Sequence, residues 1–357
     1  MSITQRGDTF MVRAKPTAGP TMHDVAATAG VSQATVSLVL NSAPGSRFSA
    51  DTRQRVWDAV EELGYRTNAH AKVLREGVSG MIGFIGDTVA TSPFAGAIIE
   101  GAQERAWEEG LLLLTINTGG DKKLEAASLD TMLSYKVAGV VYAAMYNRYL
   151  EVPKALEGVP SVVLNAQDKD GKLPSVTPDE VQGGYRATRR LIEAGHTRIG
   201  MINIESLESG LPAAVGRFEG FRQAMAEADL EVDPSLIRFG EGGETHGYAL
   251  GMELLGSPHR PTAIFCANDR TAWGVYQAAA ELRISIPEDV SIIGFDNQST
   301  LAPFLRPGLT TLELPFAAMG RQAVDFLLQG AKPDGQVKLM DCPLIERSSV
   351  SHPKEKP

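Results

Sequence analysis

From Met81 onward, short apolar runs alternate with helical patterns, and that alternation restricts the chain to one class of architecture. The strand candidates are Ile82–Gly86, Leu112–Ile116, Gly139–Ala143, Ser161–Leu164, Ile199–Ile204, Ala263–Ala267 and Ser291–Phe295. Helical patterns run over Phe94–Glu109, Leu124–Ser134, Pro178–Ala194, Val215–Ala228, Thr271–Leu282 and Ala317–Gln329. Strands separated by helices pair in parallel, so the expectation is an α/β fold with parallel sheets. The order that starts at Ile82-Gly83-Phe84 begins again at Ile199-Gly200-Met201, which predicts two similar lobes. Thr177-Pro178-Asp179-Glu180 reads as a helix start, with Thr177 as N-cap, proline first and Glu third.

The strand ends carry the chemistry. Asp87, Asn117, Asn165, Asn268-Asp269 and Asp296 each follow one of the apolar runs. In open α/β sheets ligands bind just past the carboxyl ends of the strands. Asn and Asp there present paired hydrogen-bonding groups that suit the adjacent hydroxyls of a sugar. Phe94, Trp273 and Phe316 offer apolar faces to a ring. Each Asx residue taken singly is equally well explained as a helix or turn cap; five such ends together favour a pocket.

The first 80 residues follow a different pattern. Thr21-Met22-His23-Asp24 fits a capping box, and Val25, Ala26 and Ala29 form an apolar stripe that ends at Gly30. Ser32 is a suitable N-cap for a second helix from Gln33 to Leu40, whose Val36, Val39 and Leu40 share one face. Ser49-Ala50-Asp51 opens a third helix with a Val56, Val60, Leu63 stripe, stopped by Gly64. Two short helices joined by a glycine turn, with a third behind, describe a helix-turn-helix whose second helix enters the major groove. A plain three-helix bundle has the same periodicity.

Charge narrows the choice. The chain of 357 residues carries 34 Lys and Arg against 43 Asp and Glu, a net charge of −9. Residues 1–80 nevertheless hold nine basic and seven acidic residues, so nucleic-acid contact is expected there and repulsion elsewhere. No apolar run approaches the roughly 18 residues of a membrane span, and residues 1–20 read as a flexible arm with no secretory core, leaving Met1 or Met11 as the start. A cytoplasmic protein without membrane contact is expected. Cys266 and Cys342 form no ligand pair, and Cys266 lies in an apolar run that suits a buried, inert thiol. The six histidines have no metal-ligand spacing, and neither a nucleophile elbow nor a phosphate-binding loop is present. No metal, no cofactor and no catalysis are expected, although paired carboxylates such as Asp269 and Asp296 are also the groups of glycoside hydrolysis.

The run TMHDVAATAGVSQATVSLVLN, Thr21 to Asn41, closely resembles the N-terminal signature of the LacI/GalR family of transcriptional regulators. Downstream, Gly195–Ile199, Arg217–Phe221, Pro261–Asp269, Pro287–Asp296, Leu309–Thr311, Met319-Gly320 and Leu344–Ser349 resemble the same family's sensor domain, itself similar to periplasmic sugar-binding proteins. The resemblance implies base contacts from Gln33 and Ala34, with Gln suited to adenine and the Ala methyl to thymine. It implies phosphate contacts from Thr35, Ser37 and Asn41, with Thr21 and Ser32 also at the DNA. Leu38 stands where many members carry a polar or basic residue. The stretch Tyr65–Arg75 resembles the family's hinge helix, with Thr67 in place of a proline. There Asn68, Ala71 and Leu74 would meet DNA, with Leu74 wedged into the minor groove and His70 near its mate. Effector contacts are implied for Asp87, Phe94, Asn165, Arg217, Asn268, Asp296 and Phe316, with Ala166 where the family often has Arg.

The implied organisation is an arm (1–20), a helix-turn-helix domain (21–66), a hinge helix and linker (67–80), and an effector-binding and dimerisation domain (81–357). Its first lobe would comprise about 81–177 and 315–340, its second about 178–314 and 341–357. The implied protein is a homodimer, with a tetramer left open, that binds a pseudo-palindromic operator in double-stranded DNA. A small carbohydrate would relieve repression. A purine-like co-repressor stacked on Phe94 is the alternative.

Overall fold

Three helices make up the N-terminal part of the computed structural model, which describes residues 19–41, 48–66, 79–89, 96–331 and 335–354. The chain divides into two compact units between Ser79 and Gly80. In the first, α1 (Met22–Ala29) opens on the expected capping box: Thr21 Oγ1 accepts from the Asp24 amide at 3.3 Å, and Asp24 Oδ2 accepts from the Thr21 amide at 2.8 Å. Gly30 ends it at φ 66°, a left-handed conformation that costs glycine little. Ser32 Oγ accepts from the Thr35 amide at 3.1 Å and starts α2 (Gln33–Asn41). Ser49 caps α3 (Ala50–Leu63). Val25, Ala26, Ala29, Val36, Val39, Val56 and Ala59 form the core, with Leu40, Val60 and Leu63 half-buried at its rim. Arg55 Nη1 donates to the Ala29 carbonyl at 3.1 Å, satisfying one of the open carbonyls at the end of α1.

The second unit begins with β1 (Met81–Gly86), α4 (Gly96–Glu108), β2 (Leu112–Asn117), α5 (Lys122–Ser134), β3 (Val140–Ala143), β4 (Tyr149–Leu150), β5 (Ser161–Leu164), β6 (Gln167–Asp168) and β7 (Ser175–Pro178). The chain then crosses to α6 (Glu180–Glu193), β8 (Ile199–Asn203), α7 (Pro212–Glu227), β9 (Ile237–Phe239), α8 (Glu244–Leu255), β10 (Ala263–Cys266), α9 (Asp269–Glu281), β11 (Ser291–Asp296) and β12 (Thr310–Glu313). It returns for α10 (Phe316–Leu328) and β13 (Val337–Met340), then crosses a third time to β14 (Leu344–Ile345). One sheet has the order β13-β7-β5-β3-β1-β2, and the other β14-β12-β11-β10-β8-β9. All pairings within the two sheets are parallel except β12 with β14. The short β4–β6 ribbon stands apart.

Each sheet is covered on both faces, which is why its central strands are largely apolar. On the first, Phe84 and Val141 face Ile98 and Ala102 of α4 and Met319 and Val324 of α10. Ile85 and Tyr142 face Leu129 and Met132 of α5. On the second, Phe265 and Phe295 meet Leu191 of α6 and Phe221 of α7, while Ile264 and Ile292 meet Leu254 of α8 and Val275 of α9. The helix pairs cross at glycines: a Cβ at Gly220 would lie 2.0 Å from the Val181 carbonyl, and one at Gly320 2.1 Å from the Ile98 carbonyl. Cys266 and Cys342 are free, buried thiols, and burial pushes both above the usual range.

Two expectations need correction. The helix expected from Thr177 begins at Glu180, and its N-cap is Asp179, which accepts from the Gln182 amide at 3.0 Å. Thr177 and Pro178 are strand residues, paired in register with Leu339 and Met340 some 160 positions away. Helix α8 and strands β7, β9, β12, β13 and β14 lie outside the expected elements. Their local signals are weak: β7 ends in proline, β12 begins with two threonines, and α8 starts after a glycine that supplies no side-chain cap.

Candidate functional site

On the N-terminal unit the apolar face of α2 is spent on the core, which leaves Ser32, Gln33 and Ala34 exposed at its start. Thr35 and Ser37 are half-buried, and Asn41 is the last helical residue. Leu38 is 54% exposed on the same helix, an unusual position for a large aliphatic side chain. Thr21 is exposed, with its hydroxyl turned to Asp24 at 2.8 Å. Asn68, His70, Ala71, Leu74 and Phe94 lie outside the described residues.

In the second unit, the carboxyl ends of both sheets meet around one cavity. Met145, Tyr146, Asn147 and Asn165 line it from the first sheet's side. Arg217, Asn268, Arg270, Asp296 and Gln298 line it from the second, and Glu180, Leu314 and Phe316 from the crossings. The free volume is about 70 Å³, well below the roughly 300–1,000 Å³ of sites that hold drug-sized molecules.

Arg217 organises one wall. Projected from α7, it is 3% exposed, and its Nε donates to Glu180 Oε2 at 2.8 Å. Its Nη1 donates to the Ala267 carbonyl and lies 3.7 Å from Asp296 Oδ1. Its guanidinium carbon stands 3.9 Å over the Phe295 ring. Burial of a cation at this depth requires such partners. Burial also pushes Asp296 up to about 6, against the pull of Arg217. Asp269, directly behind, is raised well above the usual carboxylate range, first by burial and then by Asp296. It accepts from Thr311 Oγ1 at 2.6 Å and from the Gln298 amide at 2.7 Å.

The neutral residues are held just as firmly. Asn268 caps α9 through the Thr271 amide at 2.7 Å and donates to the Gly242 carbonyl at 2.8 Å. Asn165 adopts φ 53° and donates to the carbonyls of Ala144 and Met145 at 3.1 and 2.9 Å. Gln298 donates to Asp296 Oδ2 at 3.0 Å. Asn147 Nδ2 reaches Glu180 Oε1 at 3.4 Å, and Asn147 Oδ1 is buried without a partner.

The structure therefore gathers Asn165, Arg217, Asn268, Asp296 and Phe316 on one cavity, with Asp269 in support. Asp87 goes elsewhere. It pairs with Arg148 Nη2 at 2.8 Å, accepts from the Met145 amide at 3.0 Å, and lines a separate cavity of about 520 Å³ within the first lobe. Trp273 sits 39% exposed on α9 and is not among the residues that line the cavity. A larger groove of about 410 Å³ opens beside Pro160 and Ser161, at the start of β5 and away from the carboxyl ends of the strands. Sequence reasoning did not assign Asn147, Glu180, Arg270 or Gln298 to the site. Glu180 looked like a capping residue, and only its buried partner reveals otherwise. Among the described residues no group of three metal-ligating side chains occurs, and no helix is long and apolar enough to cross a membrane.

Comparison with known proteins gives consistent matches. Residues 21–68 match the family model of bacterial regulatory proteins, lacI family, and residues 188–350 match a periplasmic binding protein-like domain. The HTH-type transcriptional repressor PurR of Escherichia coli O139:H28 is 35% identical over 340 residues, spanning 93% of this chain and 97% of that protein. Among solved structures, the lac repressor dimer bound to operator and the anti-inducer ONPF has a TM-score of 0.76 at 26% identity, covering 93% of this chain and 99% of that one. The regulator CelR in complex with cellobiose has a TM-score of 0.64 at 27% identity, covering 92% and 99%. A LacI-family regulator from Rhizobium etli reaches 0.69 at 34% identity, over 76% and 99%.

Proposed function

We propose, from the premise that the chain belongs to the lacI family of bacterial regulatory proteins, that this transcriptional repressor releases its operator when a small carbohydrate binds between its lobes. The observation that carries the ligand reading is the convergence of Asn165, Arg217, Asn268, Asp296 and Phe316, from distant parts of the chain, on one cavity.

On DNA, two copies present α2 to adjacent major grooves of a pseudo-palindromic, double-stranded operator in the cytoplasm. Gln33 reads an adenine edge and Ala34 meets a thymine methyl. Thr35, Ser37 and Asn41 hold phosphates and fix orientation, with Thr21 and Ser32 also at the DNA. Asn68, Ala71 and Leu74 act at the minor groove, where Leu74 is the wedge. The cavity of about 70 Å³ is too small for a sugar ring, so effector entry requires the lobes to part. The effector then favours the lobe arrangement that accommodates it, with a coupling of typically about 1–3 kcal/mol between the two sites.

A gel shift with the protein's own upstream DNA, across a panel of sugars and purines, tests the reading. A sugar that releases the DNA is the expected result. A purine that strengthens the shift would replace induction with co-repression, and no shift at low salt would overturn operator binding.

A further inference from the structure

One face of β5 is covered by the β4–β6 ribbon and irregular chain. Val162 and Leu164 pack on the other face, with Met319 and Val324 of α10. Val163 points the opposite way and packs against Leu150, Val152 and Leu173. Side chains alternate along a strand, so Ser161 points the same way as Val163. There the groove of about 410 Å³ opens between Val152, Leu156, Val159 and Leu173, with Ser161 on its wall. That volume lies within the roughly 300–1,000 Å³ of small-molecule sites, which combine apolar walls with a few placed polar groups. Ser161 is such a group: it is 1% exposed, and its Oγ has no hydrogen-bond partner. A hydroxyl buried without a partner carries a desolvation cost that a ligand's polar group relieves.

The charges on the groove are unbalanced. Glu157, Asp168 and Asp170 line it with a single cation among the described residues, Lys172. Lys172 Nζ is committed to Asp170 Oδ2 at 2.9 Å. Asp168 is 8% exposed, and its carboxylate is fixed by the backbone amides of Asp170, Lys172 and Leu173 at 3.0, 2.8 and 3.0 Å. With Asp170 and Lys172 cancelling each other, Glu157 and Asp168 leave the groove negative. Its field therefore attracts a cation and repels an anion.

We infer that this groove is a second ligand site, and that it takes a small, largely apolar molecule carrying a positively charged amine head. The apolar walls hold the body, the carboxylates favour the charge, and Ser161 Oγ takes a hydrogen bond from the head. The site is separate from the interlobe cavity. Ser161 opens β5 and Asn165 follows its carboxyl end, roughly 13 Å away along the strand. Nothing in this inference depends on what the interlobe cavity binds.

Calorimetric titration of the full-length protein with 4-phenylbutylamine, 4-phenylbutanol and 4-phenylbutyrate keeps the apolar body constant and changes only the head. The amine should bind saturably, at least about fivefold more tightly than the alcohol, with the carboxylate weakest. Combining Glu157→Gln with Asp170→Asn leaves Asp168 and Lys172 to balance, and should cut the amine's advantage over the alcohol to less than about twofold. Ser161→Ala should weaken amine and alcohol alike by at least about threefold without lowering the melting temperature, because no bond within the protein is lost. Asp296→Asn alters the interlobe cavity alone and should leave all three titrations as they are. Circular dichroism confirms that each variant is folded. An alcohol that binds as tightly as the amine would overturn the inference, as would a wild type that shows no saturable amine binding in the millimolar range. Amine binding that is lost in Asp296→Asn but kept in the Glu157→Gln, Asp170→Asn protein would place the amine in the interlobe cavity and overturn it too.

Discussion

The two lobes share a topology and divide the chemistry unequally. Reading inward from the β2 and β9 edges, the strands follow the same order, with β1, β3, β5, β7 and β13 matched by β8, β10, β11, β12 and β14. Only the last strand differs, parallel in the first lobe and antiparallel in the second. In each lobe the helix following the first strand crosses another at close-set glycines, α4 with α10 from the far end of the chain in the first lobe and α7 with α6, which directly precedes β8, in the second. Yet the ionisable groups on the cavity wall gather on the second lobe and its crossing helix, as Arg217, Glu180, Asp296 and Arg270, with Asp269 behind them. The first lobe contributes the neutral amides of Asn147 and Asn165. The second lobe thus forms an ionic floor whose charges neutralise one another in place. The Asn147–Glu180 contact between the two sides is long, at 3.4 Å.

The largest test of that division is Arg217→Met. Removing the cation leaves Glu180 and Asp296 buried without their counter-charge, which should cost about 3–5 kcal/mol in urea unfolding. A loss below about 1 kcal/mol would mean the floor does not depend on ion pairing. Next come the matched glycines. Gly220→Ala and Gly320→Ala each drive a methyl group into a backbone carbonyl of the facing helix, at 2.0 and 2.1 Å respectively. Each should lose about 1–3 kcal/mol. Similar losses would support structural equivalence of the lobes, and a loss in only one would break it.

A smaller effect is expected with pH. Asp296 holds its proton to about 6 when folded, against 3.8 for the free group. The folded state therefore binds more protons in that window, and this group's contribution to stability falls as pH rises from about 4 to about 6. Asp296→Asn has no such loss. Its melting temperature relative to the wild type should climb across the window and then level, and a flat difference would contradict the assigned burial. The smallest change belongs to the first lobe. Asn147→Ala removes a long contact together with an orphaned acceptor, so thermal unfolding should shift by less than about 1 kcal/mol. A larger loss would show that the neutral wall also carries structure.

How well the sequence could be read depended on the distance between partners. The three N-terminal helices were legible because their signals are local: Thr21 with Asp24, Gly30 in its turn, Ser32 with Thr35, and Val36 with Val39 on one face. Ala59 entered that core unannounced, since a small residue leaves little trace in an apolar stripe. The long helices and central strands were equally legible from periodicity. Edge strand β13 was not, because its exposed Val337, Lys338 and Leu339 lack the buried pattern of the inner strands. In the cavity, Arg217, Asn268 and Asp296 were legible through strand ends and family resemblance. Asp87 had the same local signature but turned to Arg148.

By itself, the sequence determined the central strands and most of the helices, their parallel α/β class, the separate N-terminal helical unit and the candidates at the strand ends. These follow from contacts three or four residues apart and from short continuous apolar runs, which any short segment displays. Only the tertiary structure decided that Thr177 and Pro178 join a strand rather than a helix, that Glu180 faces Arg217, and that Asp269 supports Gln298 and Thr311. Those pairs are 29 to 42 residues apart where side chains meet. Their choice of partner is set by which sheet edge and which helix face close on each other, because a buried charge takes whatever counter-charge or donor the packed chain brings within reach.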